Sequence, residues 1–343
     1  MDEMRKKTQQ TFHDFNAFDI LKDKNVLLVC DDAFDSFGIK LPCKYVRFSG
    51  FTSNPRHEDV HAGTVMLMQN KCDFIVAIGG GSSMDAAKYI KYESQSDIPI
   101  MAIPTTSGTG SEATHFAVIY KNGEKHSIAD ASLLPDYVVL QPDMLANLPL
   151  YQKKCTMLDA LCQAIESWWS KKSTSESIAF SQKAIRLIMD NMDSYLANRG
   201  EGNRNMLIAS HWAGKAIDMT TTTAPHAMSY ALTSRYGLPH GHAVAICLPK
   251  VWRYMRNYDE IAQALGKQDY EEGVAFFEML LQRLGILPPE NVPDNDLDML
   301  ARSVNVERLE NNPVLLDRNT IKALYKEILQ IPSLDNTYSN LYL

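Results

Sequence analysis

Over the first part of the chain, short apolar runs alternate with stretches of helical periodicity. The runs are Asn25-Val26-Leu27-Leu28-Val29-Cys30 and residues 44–48, 74–78, 99–103 and 137–140. Most are apolar at successive positions, which marks buried strands of a parallel sheet. Residues 57–69 carry Val60, Val65, Leu67 and Met68 at helical spacing, and a second helical segment opens after Gly81. Residues 116–120 and 125–128 flank Asn122-Gly123, a hairpin signal. The segment before Asn25 carries no glycine-bearing opening strand.

Past about residue 148 the periodicity is helical and no further strand is predicted. Helices are expected over residues 151–170, 173–198, 204–218, 224–236 and 241–256, the last two on either side of Pro239. Ser173-Thr174-Ser175-Glu176 has the form of a capping box for the second of them. Shorter helices are expected over 272–284, 296–303 and 319–329, and residues 336–343 read as a tail. The fold class is therefore an α/β domain over residues 1–148 followed by an all-α domain over residues 149–343.

Composition narrows the partners. A net charge of −7 argues against general binding to nucleic acid or membrane surfaces. No apolar run is long enough to span a bilayer, and Met1-Asp2-Glu3-Met4-Arg5-Lys6-Lys7 lacks the apolar centre of a signal peptide. The cysteines Cys30, Cys43, Cys72, Cys155, Cys162 and Cys247 show no CxxC spacing, as expected of reduced thiols in a cytoplasmic protein.

Three groups of residues carry candidate chemistry. Gly79-Gly80-Gly81-Ser82-Ser83 follows a strand and opens a helix, so its amides can cradle an anion. The loop Pro104-Thr105-Thr106-Ser107-Gly108-Thr109-Gly110-Ser111-Glu112 follows the next strand, and its small hydroxyl side chains suit a second ligand contact. Asp31, at the end of the first run, stands where a carboxylate can accept hydrogen bonds from a ribose. Further on, Asp159 and Gln163 are spaced i, i+4 on one helix face. Asp159 with His226 and His240 would offer carboxylate and imidazole ligands to a divalent transition metal.

Gly79-Gly80-Gly81-Ser82-Ser83-Met84-Asp85-Ala86-Ala87-Lys88, the loop after it, and the patterns around Asp159 and across residues 226–241 resemble the iron-containing (group III) alcohol dehydrogenases. The resemblance covers nearly the whole chain. It implies a Rossmann-like domain that binds NAD or NADP, an all-α domain, and a divalent metal, Fe2+ or Zn2+, in a dehydroquinate synthase-like architecture. By that resemblance Asp31 faces the adenosine ribose, and Gly80, Gly81, Ser82 and Asp85 form the pyrophosphate turn. Thr105, Thr106 and Ser111 match the second cofactor loop, and Lys125 matches a cofactor-contacting lysine. Asp159, His226 and His240 match three of the four metal ligands.

The fourth ligand in that family is a histidine four residues after the aspartate, where this chain has Gln163, a neutral and weaker donor. A second family histidine, four residues after the position of His226, is replaced by Tyr230, which leaves Tyr230 or His242 as proton donor. Arg47-Phe48-Ser49-Gly50-Phe51, Asn54-Pro55, residues 160–170, His226-Ala227-Met228-Ser229-Tyr230 and Gly237-Leu238-Pro239-His240-Gly241-His242-Ala243-Val244 are similar to the phosphonoacetaldehyde reductase branch. That similarity implies reduction of phosphonoacetaldehyde to 2-hydroxyethylphosphonate in phosphonate biosynthesis, with Gln163 a feature of the branch. The alternatives are a group III enzyme for another alcohol or aldehyde, such as a sugar-acid alcohol, a lyase or cyclase like dehydroquinate synthase, and a metal-free nucleotide-binding protein without activity. The expected partners are a small anionic aldehyde or alcohol and a second copy in a homodimer.

Overall fold

The computed structural model describes residues 8–329 apart from residue 291, so the stretch 336–343 read as a tail lies outside the described residues. In chain order the first unit holds β1 (Gln10–Phe12), β2 (Asn25–Cys30), β3 (Lys44–Phe48), α1 (His57–Gln69), β4 (Phe74–Gly79), α2 (Gly81–Ser94) and β5 (Ile100–Pro104). It continues through the hairpin β6 (Phe116–Lys121) and β7 (Glu124–Ala129), then β8 (Tyr137–Val139), α3 (Leu150–Trp169), α4 (Ser175–Leu196) and α5 (Gly200–Thr220). The parallel sheet runs β1-β8-β5-β4-β2-β3, and β6 and β7 pair antiparallel. Val26, Leu28, Val76, Ile78, Met101 and Ile103 belong to a core shared with Phe18 and Leu21, while Leu27, Val29, Ile75 and Ala77 on the opposite face are also fully buried. Burial on both faces is why these strands read as continuous apolar runs.

The structure adds one strand to this reading and moves one cap. A glycine-free strand, β1, does precede Asn25, with Gln10, Thr11 and Phe12 paired to Tyr137, Val138 and Val139 at the sheet edge. The capping box before α4 sits one residue later than its sequence signature. Thr174 takes the extended N-cap conformation, its Oγ1 accepts from the Ser177 N–H at 3.1 Å, and the Ser177 Oγ accepts from the Thr174 N–H at 2.9 Å. A serine at the third helical position closes the box as well as the usual glutamate would.

The compact units divide between Thr221 and Thr222, so α3, α4 and α5 cluster with the sheet although helical character begins near residue 148. A close backbone approach makes this possible. Gly110, at φ +59°, lies against Gly214 of α5, and a Cβ on Gly110 would stand 2.5 Å from the Gly214 Cα. Only a pair of glycines permits that contact.

The second unit holds α6 (Ala224–Tyr236), α7 (His240–Met255), α8 (Asp259–Ala264), α9 (Tyr270–Leu284), α10 (Asp294–Ser303), α11 (Val306–Leu309) and α12 (Arg318–Leu329). Trp252 and Tyr325 are fully buried in it, and the Tyr325 hydroxyl donates to the Met228 carbonyl at 2.7 Å. Among the described residues no strand follows Val139 and no helix is long and apolar enough to cross a membrane. All six cysteines carry free thiols, five of them buried.

Candidate active site

The chain leaves β2 towards β3 on one side of the sheet, whereas β4 and β5 lie on the other. Strand order reverses between β2 and β4, and open parallel sheets bind ligands at the carboxyl ends of strands at such a reversal. Cys30 pairs with Ile78 there, which sets Asp31 beside Gly79. A Cβ built on Gly79, at φ +153°, would collide with the Ser83 side chain and approach Asp31 Oδ2 to 3.8 Å. The turn therefore needs glycine where it runs under the start of α2. Gly80 is the N-cap of α2 without a side-chain cap, so the first helical amides lack an internal acceptor. Ser82 donates its hydroxyl to the Ser53 carbonyl, while the Ser83 Oγ is buried without a hydrogen-bond partner in the described structure.

The loop after β5 is tied to this turn. Thr105 N–H donates to the Gly79 carbonyl at 3.0 Å, and Ser111 Oγ donates to Asp85 Oδ1 at 3.1 Å. Lys88 of α2 is 1% exposed, and its Nζ donates to the carbonyls of Ser111, Thr114 and Phe116 at 2.5, 2.8 and 2.8 Å. One buried ammonium thus holds the far side of the second loop. Burial pushes the Lys88 amine down to about 8 against the pull of Asp85. Burial likewise pushes the Asp85 carboxyl up to about 6, opposed first by Lys88, then by the Ser111 hydrogen bond, and more weakly by Lys125 on β7. Lys88 received no role from its sequence position alone. The available signal was a lysine on the buried side of an otherwise small and apolar helix segment.

Just past β2, Asp31 Oδ1 accepts from the Ala33 N–H at 3.0 Å, capping a short helical turn. Arg47 of β3 donates Nη2 to the Asp31 carbonyl at 3.1 Å and Nη1 to both oxygens of Asp35 at 2.7 and 2.9 Å. Asp31, Gly80, Gly81, Ser82, Asp85, Thr105, Thr106 and Ser111 are thus gathered at the carboxyl ends of β2, β4 and β5, with Lys125 on the adjoining hairpin.

The metal-ligating candidates divide between the units. In the first, Asp159 and Gln163 share a face of α3, each 3% exposed. Gln163 Nε2 donates to the Thr109 carbonyl at 3.3 Å, while its Oε1 is buried with no hydrogen-bond partner in the described structure. In the second, His226 of α6 and His240 at the start of α7 meet edge to face with ring centroids 5.2 Å apart. Tyr230, one turn after His226, stacks on His240 at 5.7 Å with the ring planes 8° apart. Arg308 of α11 lies against Tyr230: its Cζ is 5.1 Å from the Tyr230 ring centroid, and its Nη1 donates to the Tyr230 hydroxyl at 2.9 Å. His242 turns elsewhere, with its Nε2 2.8 Å from the Leu287 carbonyl, and burial holds its imidazole below the usual histidine range. No sequence signal links Arg308 to Tyr230, seventy-eight positions away.

Comparison with known proteins places these features in a family. Residues 8–142 match the sequence profile of the iron-containing alcohol dehydrogenases, and residues 154–329 match that of the C-terminal region of the same family. The chain is 30% identical over 315 residues to the phosphonoacetaldehyde reductase of Streptomyces viridochromogenes, covering 79% of this chain and 80% of that one. It is 31% identical over 293 residues to a 1-propanol dehydrogenase of Salmonella typhimurium, covering 77% and 78%. The crystal structure of sulfoacetaldehyde reductase from Bifidobacterium kashiwanohense in complex with NAD+ superposes with a TM-score of 0.89 at 25% identity, covering 97% of this chain and all of that one.

Proposed function

Because the chain belongs to the iron-containing alcohol dehydrogenase family, we propose that it reduces a small anionic aldehyde to its primary alcohol with NADH or NADPH, phosphonoacetaldehyde being the foremost substrate and 2-hydroxyethylphosphonate the product. An NAD-dependent alcohol dehydrogenase is what the family membership states. The anionic substrate rests on one observation: one of the two relatives in sequence and the relative in structure described above are named for acetaldehydes bearing a phosphonate and a sulfonate.

In this reading the amides at the start of α2 bind the pyrophosphate, the Asp31 carboxylate accepts from the ribose hydroxyls, and Thr105, Thr106 and Ser111 line the second side. Asp159, His226 and His240 hold a divalent metal, with Gln163 as a weak fourth ligand. The donor set fits such an ion: a carboxylate, two imidazoles, and an amide oxygen that is buried without a hydrogen-bond partner in the described structure. When bound, the metal supplies Lewis-acid polarisation of a carbonyl and the nicotinamide supplies a hydride. Tyr230 delivers the proton from its hydroxyl. The phenol oxygen already accepts from Arg308, so its own hydrogen is directed away from the guanidinium. The 2.8 Å contact between His242 Nε2 and the Leu287 carbonyl supports choosing Tyr230 over His242 as the donor in this reading.

The test is a panel of phosphonoacetaldehyde, sulfoacetaldehyde and propanal with NADH and with NADPH, each with and without added Fe2+ or Zn2+. Oxidation of the coenzyme with a higher kcat/KM for the anionic aldehydes is expected. No oxidation with any aldehyde under any metal condition would overturn the reading.

Two variants probe single residues. Gln163→His replaces the weak amide donor by an imidazole and is expected to raise zinc affinity about tenfold or more, measured by chelator competition. An unchanged affinity would place Gln163 outside the ligand set. Asp31→Ser keeps an N-cap oxygen for Ala33 but removes the charge that repels a 2′-phosphate, and leaves Arg47 beside it. The ratio of NADPH to NADH affinity is expected to rise about tenfold, read by fluorescence titration.

A further inference from the structure

We infer that Asp35 sets the coenzyme preference: it engages the Arg47 guanidinium that would otherwise bind a 2′-phosphate, and so reserves the site for NADH. The inference rests on the placement of the adenosine ribose at Asp31 in the reading above. A carboxylate that accepts from the ribose repels a 2′-phosphate, whereas an arginine beside it accommodates one. This chain carries both, with Arg47 Nη2 3.1 Å from the Asp31 carbonyl. What occupies the arginine therefore decides the choice.

Arg47 is held along its whole head. Nε donates to Ser49 Oγ at 2.8 Å, Nη2 to the Asp31 carbonyl, and Nη1 to Asp35 Oδ1 and Oδ2 at 2.7 and 2.9 Å. Its Cζ lies 5.4 Å from the centroid of the buried Phe34 ring. Asp32 Oδ1 stands further off, 3.8 Å from Nη2. The short helical turn Asp32–Phe37, capped by Asp31, is what turns Asp35 back towards β3. Asp32 and Asp35 pair with this one guanidinium and Asp31 adjoins it, so the group as a whole is negative. A doubly charged 2′-phosphate is disfavoured there.

Asp35 is the contact that neutralises the head. Ser49, the Asp31 carbonyl and the Phe34 ring are uncharged partners, whereas Asp35 is a carboxylate at hydrogen-bond distance. Without Asp35 those three would keep the head in place, and both N–H groups of Nη1 would be released to an oxyanion. A guanidinium offers its donors in a rigid plane that suits a phosphate. The Asp35 side chain is 71% exposed, so its ion pair adds little to stability and its removal should leave the fold intact.

The experiment titrates NADH and NADPH by fluorescence against the wild-type protein, Asp31→Ser, Asp35→Ala, Asp35→Asn, and Asp35→Ala combined with Arg47→Ala. The readout is the ratio of the two dissociation constants, which needs no turnover. The wild-type protein is expected to bind NADH more tightly. In Asp35→Ala the ratio should move towards NADPH about tenfold. Asp35→Asn should lie between, since its amide oxygen still accepts from Arg47 without a charge. In the double variant the shift should disappear, because Asp35 acts through Arg47. A shift that persists there overturns the inference in favour of simple charge repulsion. So does a wild-type protein that binds NADPH at least as tightly as NADH. An unmoved ratio in both Asp35 variants, with Asp31→Ser shifted, overturns the role of Asp35 and leaves the ribose placement standing. No change in Asp31→Ser or in the Asp35 variants overturns the two together.

Discussion

His240→Ala is expected to lower kcat/KM for aldehyde reduction by at least about a thousandfold, about 4 kcal/mol of barrier. Two effects add. The variant removes a proposed metal ligand, and it removes the ring on which Tyr230 stacks at 5.7 Å. NADH binding should stay within a few-fold of wild type, because the proposed coenzyme contacts all lie before Thr221, in the other compact unit. Steady-state turnover, NADH fluorescence titration and metal content on the same preparation check the three parts. His226→Ala leaves the Tyr230–His240 stack in place and separates the two effects: an equal loss points to the metal, a much smaller one to the positioning of Tyr230. Wild-type turnover in His240→Ala would remove His240 from the site.

Lys88→Met is expected to destabilise the first unit by about 3–5 kcal/mol, read from the midpoint of a denaturant transition. Three carbonyls, those of Ser111, Thr114 and Phe116, lose their shared donor. Asp85, close by, loses the cation that most opposes its rise. Methionine fills a similar volume, so the loss reports hydrogen bonds and charge more than a cavity. The loop from Thr105 to Ser111 should loosen as well, and NADH affinity should fall with it.

The pH dependence follows from the same residue. Lys88 is held down at about 8 in the folded chain, against 10.5 as an unperturbed lysine. Between those values the unfolded chain binds more protons than the folded one, so stability rises as pH rises from about 8 to 10.5. Asp85 gives the opposite slope at lower pH. Its carboxyl, raised to about 6 from 3.8, binds more protons in the folded chain over that window, so its contribution falls as pH rises through it. The methionine variant should lose the alkaline rise.

The local features were legible because neighbouring residues create them. Residues 74–78 read as a buried strand because both its faces are covered, and Gly79-Gly80-Gly81 read as a sharp strand-to-helix turn because side chains cannot fit there. Asn122-Gly123 marked a hairpin through the positive φ values of both residues, +53° and +80°. Asp159 and Gln163 shared a face by helical spacing alone. The capping box slipped by one residue because several hydroxyl side chains in a row each satisfy its pattern, and only the backbone path selects Thr174. The edge strand β1 escaped because three residues carry no period, and its pairing partner lies more than a hundred positions away.

Composition, period and motif thus determined an α/β domain, a glycine turn between its strand and the following helix, and a set of carboxylate, amide and imidazole donors, since each depends on residues close in sequence. Strand order, and with it the meeting of Asp31 and Gly79 at the reversal between β2 and β4, was left to tertiary structure. So were the buried Lys88 under the second loop, the turning of His242 to Leu287, and the seating of Arg308 on Tyr230. Each joins residues far apart in the chain, and such pairings are selected by burial and hydrogen bonding across the whole fold rather than by local spacing.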